Sequence, residues 1–204
     1  MSILKVCGMR DIDNIRAVLK LKPALMGFIF YPASVRYVGD LNLGNIDFGK
    51  TKKVGVFVNA SLNDLASIVQ KHGLDYVQLH GDETVEYAQA VHALGVKIIK
   101  VFRVHDQLPL DAINAFSTFV EMYLFDTFSE QYGGSGKQFQ WDILDNFPIQ
   151  TPFLVSGGVS SENVKNLHLI QNASFAGIDV NSKVEISPAI KDIGLVQKLQ
   201  KLWV

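Results

Sequence analysis

Cys7 is the residue of this chain with the clearest potential for chemistry. It lies in KVCGMR at 5–10, where a short apolar run ends in Cys7 and Gly8 and opens onto a segment with helical periodicity. As the only cysteine among 204 residues, it cannot form an intrachain disulfide or a C-x-x-C metal or redox pair. Most lone cysteines simply pack as small apolar side chains. A catalytic thiol is therefore a hypothesis that the rest of the chain must support.

Several other chemically capable residues close strand-like apolar runs. They are His80, Arg103, Asp126, the pair Gly157 and Gly158, and the pair Asn181 and Ser182. In a barrel of parallel strands the active site lies at the carboxyl ends of the strands, so these residues are expected to meet there. Cys7 and Asp126 form the predicted acid–base pair. Arg36, in the loop after the second strand, is a cation suited to bidentate contact with a carboxylate.

Two turns predict a phosphate site. The segment SGGVS at 156–160 lets the backbone approach an anion closely, and a helix starting near Ser160 would aim its amides at the same point. The turn DVNSK at 179–183 adds donors from Asn181 and Ser182. The alternative is a pair of ordinary tight turns. A third glycine-rich stretch, GGSGK at 133–137, is interpreted as a mobile cover over the site or a plain exposed loop.

The elements that position these residues alternate between strand and helix. Strands are predicted at 3–7, 25–30, 53–58, 76–79, 97–102, 120–125, 153–155 and 176–180. Several runs are apolar on both faces, which is typical of parallel strands covered by helices. Eight such units without a linker predict one α/β domain over 1–204, a single (β/α)8 TIM barrel. The alternative, a doubly wound open sheet, normally has fewer strands, and G-x-G-x-x-G is absent after the first strand.

Helices are predicted at 11–21, 61–72, 83–94, 160–169 and 190–202, whereas 41–49 and 108–115 show weaker patterns. Ser61 is the predicted N-cap of the second helix, with Asp64 in its positive first turn. Gly73 and Gly95 follow two helices at positions where a left-handed residue ends the helix.

Composition restricts the partners. The hydrophobic content of 48% is ample for a core, and the net charge of −1 gives no bulk attraction to nucleic acid or an anionic membrane. No apolar run is long enough for a membrane span, so we expect a cytoplasmic protein that binds a small molecule. The other histidines, His72, His92, His105 and His168, lack metal-ligand spacing. We expect no metal and no cofactor.

Over essentially its whole length, the chain closely resembles the phosphoribosylanthranilate isomerase family, (β/α)8-barrel enzymes of tryptophan biosynthesis. The segments that carry the resemblance are KVCGMR at 5–10, GFIFYPASVRYV at 27–38, VGVFVN at 54–59, VQLHGDE at 77–83, LFDT at 124–127, GGSGKQFQW at 133–141, SGGVSSENV at 156–164, GIDVNSKVE at 177–185 and KD at 191–192. The first eight segments, in register, make a specific match, although each alone is weak.

The resemblance implies an Amadori rearrangement of N-(5-phosphoribosyl)anthranilate to 1-(2-carboxyphenylamino)-1-deoxyribulose 5-phosphate. It assigns Cys7 as general base and Asp126 as general acid, and Arg36 to the anthranilate carboxylate. The phosphate-binding residues implied are Gly157, Gly158, Asn181 and Ser182. Asp179 shares the inward face of its strand with Asn181 and is expected to contact a ribose hydroxyl.

Two further residues are expected to serve this site. His80 is expected to contact substrate or to orient neighbouring groups, and Lys5 is expected to favour the Cys7 thiolate by its charge.

Some positions depart from the family pattern, and two other functions stay open. The departures are Val35, Gln140, Asn181, Lys183 and Ala189, which leave the phosphate donors open. One alternative is another phosphosugar isomerase or epimerase, although a related histidine-pathway isomerase would carry paired aspartates where Cys7 and Arg103 stand. The other is a catalytically silent barrel that only binds a phosphorylated ligand. The family includes monomers and homodimers, and we expect a monomer because no apolar loop suggests an interface.

Overall fold

A computed structural model describes residues 3–104, 107–127, 141–145 and 147–203 of the chain. Eight parallel strands of this part close into a barrel in sequence order, with β1 paired to both β2 and β8. The strands are β1 Ile3–Val6, β2 Leu25–Ile29, β3 Lys52–Phe57, β4 Tyr76–Leu79, β5 Lys97–Val104, β6 Met122–Thr127, β7 Phe153–Val155 and β8 Phe175–Val180. The predicted (β/α)8 barrel is confirmed.

Five α-helices lie in the described ranges: α1 Ile12–Leu19, α2 Leu62–His72, α3 Val85–His92, α4 Leu110–Phe116 and α5 Ile193–Trp203. The predicted cap of α2 is confirmed, because the Ser61 side chain accepts a hydrogen bond from the Asp64 amide. Gly73 and Gly95 have φ of +57° and +76°, the left-handed region in which glycine is unstrained. Of the two weakly patterned segments, 41–49 contains only the 3₁₀ turn Leu43–Asn45, and 108–115 contains most of α4.

Two predicted helices are wrong in part. The segment 160–169 contains no α-helix but a 3₁₀ helix, Val164–Leu169, so its first residues form a turn. Residues 190–202 begin not with helix but with the strand β10 Ile190–Lys191, which pairs antiparallel with β9 Glu185–Ser187 before α5 starts at Ile193. Apolar spacing in both segments fits a helix, but the main-chain pairing to β9 takes Ile190 and Lys191 out of it.

Alternation along the strands divides the core into two layers. Side chains on the outer face of the barrel pack under the helices. The inner face forms a separate apolar cluster that fills the barrel interior: Leu25, Val54, Ile99, Val101, Met122, Leu124 and Leu154. Because strand side chains alternate with a period of two, the next inward positions beyond this cluster reach the carboxyl end of the barrel. Asp126 follows Met122 and Leu124 on this face.

None of the described helices is long and apolar enough to cross a membrane. The predicted cover loop at 133–137 and His105 lie outside the described residues.

Candidate active site

A cavity that is open to solvent lies at the carboxyl ends of the strands. The predicted site residues that line it are Cys7, His80, Asp126, Gly157, Gly158, Asp179, Asn181 and Ser182. Arg36 is not among the lining residues, although Tyr31 and Ser34 of the same loop are. The structure thus brings residues from five strand ends into one space.

Cys7 directly follows β1 and is buried, with 4% of its surface exposed. Its amide donates to the Val180 carbonyl at 2.9 Å, which ties it to β8. A β-carbon on Gly27 of β2 would lie 2.7 Å from the Cys7 Sγ, closer than real atoms approach. Glycine at position 27 therefore makes the space that the thiol occupies.

Burial raises the pKa of the Cys7 thiol, even though Lys5 and Lys191 lower it. The expectation that Lys5 favours the thiolate is thus correct in direction but too strong. The Lys5 ammonium forms an ion pair with Asp179 and donates to its Oδ1 at 2.8 Å. The negative charge of Asp179 in turn raises the pKa of the Cys7 thiol. The resting side chain is consequently a protonated thiol near neutral pH.

The Lys5–Asp179 ion pair lies beneath the cavity, with side-chain exposures of 0% and 6%. The Ser156 hydroxyl donates to the other carboxylate oxygen of Asp179 at 3.2 Å. A buried ion pair with an additional hydrogen bond holds its geometry, because breaking it leaves an uncompensated charge. Asp179 is therefore a fixed acceptor at the cavity floor.

Asp126 and His80 lie side by side in the lining of the cavity, with 3.6 Å between the Asp126 Oδ2 and the His80 Nε2. Burial and the nearby charges of Lys5, Lys100 and Arg103 lower the pKa of His80 to about 3, so the imidazole is neutral. The Gln78 amide nitrogen lies 2.9 Å from His80 Nδ1. With the Gln78 amide assigned this way, its NH₂ group donates to His80 Nδ1. The single hydrogen of the neutral imidazole is then on Nε2, which faces Asp126.

The Gly157–Gly158 turn has φ of +87° and +71°, both in the left-handed region. Within the described part of the chain, the amides of Gly157, Gly158 and Val159 donate to no protein acceptor, and all three residues line the cavity. The expected helix amides from Ser160 are not available, because the Ser160 amide donates to the Asn163 Oδ1 at 2.8 Å. After β7, the amides that can donate to an anion are therefore those of the turn itself.

Arg36 is held by Glu185 of β9. The Arg36 Nε donates to both carboxylate oxygens at 2.9 and 3.1 Å, and Nη2 donates to Oε2 at 2.7 Å. Burial alone would raise the pKa of Glu185, but Arg36 and Lys191 together lower it, so the carboxylate is ionised. A guanidinium has five N–H groups, and Glu185 takes one edge of it. Among the described residues, no acceptor contacts the Arg36 Nη1 group.

Sequence reasoning missed Gln78, Ser156, Glu185 and Lys191. Gln78 lies on β4 two residues before His80, so strand alternation would have found it, whereas Ser156 directly follows β7. Glu185 and Lys191 lie in segments already matched to the family, but nothing in their spacing indicated an ion pair. Arg103 lies near the end of β5 and pairs with Asp82 at 2.7 Å. The aspartate that a histidine-pathway isomerase would carry at position 103 is therefore replaced by a cation.

Within the described ranges, no group of three His, Cys, Asp or Glu side chains is arranged to hold a metal ion. The site instead consists of a buried thiol, a carboxyl group and a glycine-lined turn at the mouth of a closed parallel barrel. This combination defines the class of barrel enzymes that act on small molecules at the carboxyl ends of the strands.

Comparison with known proteins identifies the family. The family model described as N-(5'-phosphoribosyl)anthranilate (PRA) isomerase matches residues 4–201. The N-(5'-phosphoribosyl)anthranilate isomerase of Parabacteroides distasonis is 41% identical over 195 residues, covering 94% of this chain and 88% of that protein. The chain therefore belongs to the N-(5'-phosphoribosyl)anthranilate isomerase family, and it is an isomerase.

Two solved structures are similar throughout. Phosphoribosyl anthranilate isomerase from Thermotoga maritima has a TM-score of 0.87 and 28% identity, covering 100% of this chain and 98% of that chain. A phosphoribosyl anthranilate isomerase in complex with reduced 1-(o-carboxyphenylamino)-1-deoxyribulose 5-phosphate shares the fold, with a TM-score of 0.80, 24% identity and coverage of 100% and 98%.

Proposed function

We propose that this chain catalyses the Amadori rearrangement of N-(5-phosphoribosyl)anthranilate in tryptophan biosynthesis, with Asp126 as general acid and Cys7 as general base. The proposal rests on both groups lining one cavity with a glycine turn whose amides donate to no acceptor among the described residues. Family membership supports the reaction, and the chemistry of the two groups supports their roles.

The reaction starts with a proton from Asp126 to the ring oxygen of the ribose. The bond between that oxygen and C1 breaks, and the nitrogen lone pair forms the C1=N bond of a protonated Schiff base. The neutral His80 Nε2–H faces the Asp126 Oδ2 and can stabilise the carboxylate that remains. A hydrogen-bond donor placed where negative charge develops lowers the barrier of such a step.

Cys7 then removes the proton from C2 as the thiolate, and the electron pair moves through C1 to the nitrogen. The resulting enolamine tautomerises: the C2 hydroxyl loses its proton and C1 gains one, which gives the ketone. C2 is oxidised while C1 is reduced, so the electrons balance within the substrate and no redox cofactor is required. The thiolate fraction limits this step, because burial raises the pKa of Cys7.

The remaining site residues are assigned to binding. The free edge of Arg36 receives the anthranilate carboxylate, and the amides of Gly157 and Gly158 with Asn181 and Ser182 receive the phosphate. Asp179 accepts a hydrogen bond from a ribose hydroxyl. Arg36 and Lys191 carry two positive charges against the one negative charge of Glu185, so this cluster complements an anionic substrate.

The reaction type is tested by following the product with ¹³C NMR. The proposal predicts that a substrate labelled with ¹³C at C1 and C2 gains a ketone signal from C2 and a methylene signal from C1. An epimerase would leave C1 at the aldehyde oxidation level, and a silent barrel would leave both signals unchanged. Either of these results would contradict the proposal.

We further propose that residues 1–204 form one catalytic domain that acts as a cytoplasmic monomer.

Replacing Arg36 by Met should raise KM roughly 10- to 100-fold while changing kcat less, because the lost contact is a charge-assisted carboxylate clamp used mainly in binding. Steady-state kinetics measure both constants. Arg16→Met is the matched control, since Arg16 is 61% exposed on α1 and, among the described residues, pairs with Asp13 alone. Equal loss of affinity for product analogues with and without the anthranilate carboxylate would refute the clamp.

Replacing Gly158 by Val should weaken binding of inorganic phosphate and of substrate together, since a β-carbon fills the space the anion needs. Part of any effect comes from the strained φ of +71°. Gly95→Val controls for strain, because Gly95 has φ of +76° and open space around it. Phosphate is titrated by calorimetry and tested as a competitive inhibitor. Unchanged phosphate affinity in Gly158→Val would place the anion elsewhere.

A further inference from the structure

Lys191 is a buried cation next to the proposed phosphate site. It lies on β10, is 1% exposed and does not line the cavity. Its Nζ donates to the Asn181 Oδ1 at 2.7 Å, to the Asn181 carbonyl at 3.3 Å and to the Glu185 Oε1 at 2.7 Å. The three hydrogens of the ammonium are therefore used inside the protein, and two of them go to one residue.

These contacts determine which way the Asn181 amide points. An ammonium can only donate, so the side-chain atom that Lys191 contacts must be the oxygen. The NH₂ group is left on the other side, and among the described residues it donates to no acceptor. Asn181 itself lines the cavity. Two N–H donors of a cavity-lining residue are thus available for the phosphate that the proposed function places there.

Gly8 restricts the amide from its other side. A β-carbon on Gly8 would lie 2.7 Å from the Asn181 Oδ1 and 3.2 Å from its Nδ2. The amide therefore lies against the Gly8 backbone, which has φ of +75°. Contact on one face and a charged donor on the oxygen together fix the plane of the group and its direction.

We propose that Lys191 is a positioning residue that locks the Asn181 side-chain amide so that its NH₂ group donates to the substrate phosphate. This inference rests on the proposed function, because it requires an anion at the turns after β7 and β8. A phosphate ester only accepts hydrogen bonds at its terminal oxygens, so a free amide could present either its oxygen or its nitrogen. Lys191 excludes the orientation in which the Asn181 oxygen faces the phosphate, and this lowers the free-energy cost of ordering the side chain on binding.

Binding is the appropriate measurement, because Lys191 also acts on the Cys7 thiol through its charge and turnover would mix the two effects. We suggest calorimetric titration of inorganic phosphate into the wild type, Lys191→Met, Asn181→Ala and the double variant. Loss of a hydrogen bond to a charged group should weaken phosphate roughly tenfold or more in each single variant. The double variant should be little weaker than Asn181→Ala alone.

The double-mutant cycle distinguishes a Lys191 that orients the Asn181 amide from a Lys191 that attracts phosphate by its charge alone. If Lys191→Met weakens phosphate by the same factor with and without Asn181, Lys191 acts by charge alone and the proposal is wrong. Lys191→Arg keeps the charge and alters the geometry, so it should still lose affinity. Anthranilate is the control ligand, and its affinity should not depend on Asn181. If the wild type binds no phosphate while it still isomerises the substrate, this inference fails but the proposed function does not.

A second measurement does not depend on how well Lys191→Met folds. In wild-type protein, phosphate should shift the NMR cross peaks of the Asn181 side-chain NH₂, which are identified by their loss in Asn181→Ala. Asn181→Asp keeps a partner for Lys191 but presents a carboxylate oxygen to the anion. It should therefore bind phosphate more weakly than Asn181→Ala. Unshifted cross peaks, or Asn181→Asp binding as well as wild type, would overturn the proposal.

Discussion

Asp126→Asn should lower kcat by about 10²- to 10⁴-fold, the range that a general acid contributes. Asn has the shape of Asp but cannot deliver a proton to the ring oxygen, so ring opening loses its acid. The position is 6% exposed, and the amide can keep a polar contact toward His80. The loss should therefore appear in kcat, with ligand affinity and thermal stability near wild type.

The measurement combines steady-state kinetics with calorimetric binding of the reduced product analogue. Asp13→Asn is the control, because the Asp13 side chain is 92% exposed and should leave kcat unchanged. Wild-type turnover in Asp126→Asn would remove Asp126 from the mechanism. A loss of folding or of binding that matches the loss of turnover would show a structural role instead.

Cys7→Ser should cause a comparable loss, about 10²- to 10⁴-fold in kcat, because a hydroxyl is a much poorer base than a thiolate. Serine is slightly smaller than cysteine, so the tight space beside Gly27 accommodates it without a clash. Cys7→Ala tests the same role with no polar atom. Both variants should bind the product analogue with nearly wild-type affinity.

The pH dependence gives a second readout for Cys7. The base must be deprotonated, so kcat/KM should rise with pH as the thiolate forms, and burial places this rise above the usual pKa of a cysteine. The same rise should appear in the alkylation rate, because Cys7 is the only thiol in the chain. A rate that is flat where the thiol titrates, or turnover that survives complete alkylation, would contradict the assignment.

The barrel and the chemical residues at its mouth were largely predictable from the sequence. Strands β4 and β7 have the predicted bounds, because strands buried on both faces are continuous apolar runs between polar turns. Once eight such runs are counted, the residue that follows each run is placed at one end of the barrel. Cys7 and His80 needed no further information to be grouped there.

The local geometry after β7 and β8 was not predictable in the same way. Residues 160–169 have apolar spacing that suits an α-helix, yet the 3₁₀ helix starts only at Val164. The expected amide of Ser160 is taken by Asn163, a contact that no spacing rule indicates. Helical type and end are set by packing against the barrel, which local sequence does not encode.

The ionic network beside Arg36 was also beyond sequence reasoning. Arg36 and Glu185 are 149 positions apart, and they meet only because the folded chain brings β9 beside the loop after β2. For the buried ion pair Lys5–Asp179 the sequence contains one indication, because strand alternation places both side chains on the inward face of the barrel. Their pairing, however, depends on β1 lying beside β8 in the closed barrel.

Loss of fluorescence from freshly prepared N-(5-phosphoribosyl)anthranilate is the most direct test of the central claim. The substrate is mixed with wild-type protein, and Asp126→Asn and Cys7→Ser are measured beside it at equal concentration. We expect rapid, catalytic loss of the anthranilate signal with wild type, and rates lower by about two orders of magnitude or more with each variant. A wild-type signal that decays no faster than the protein-free solution would contradict it.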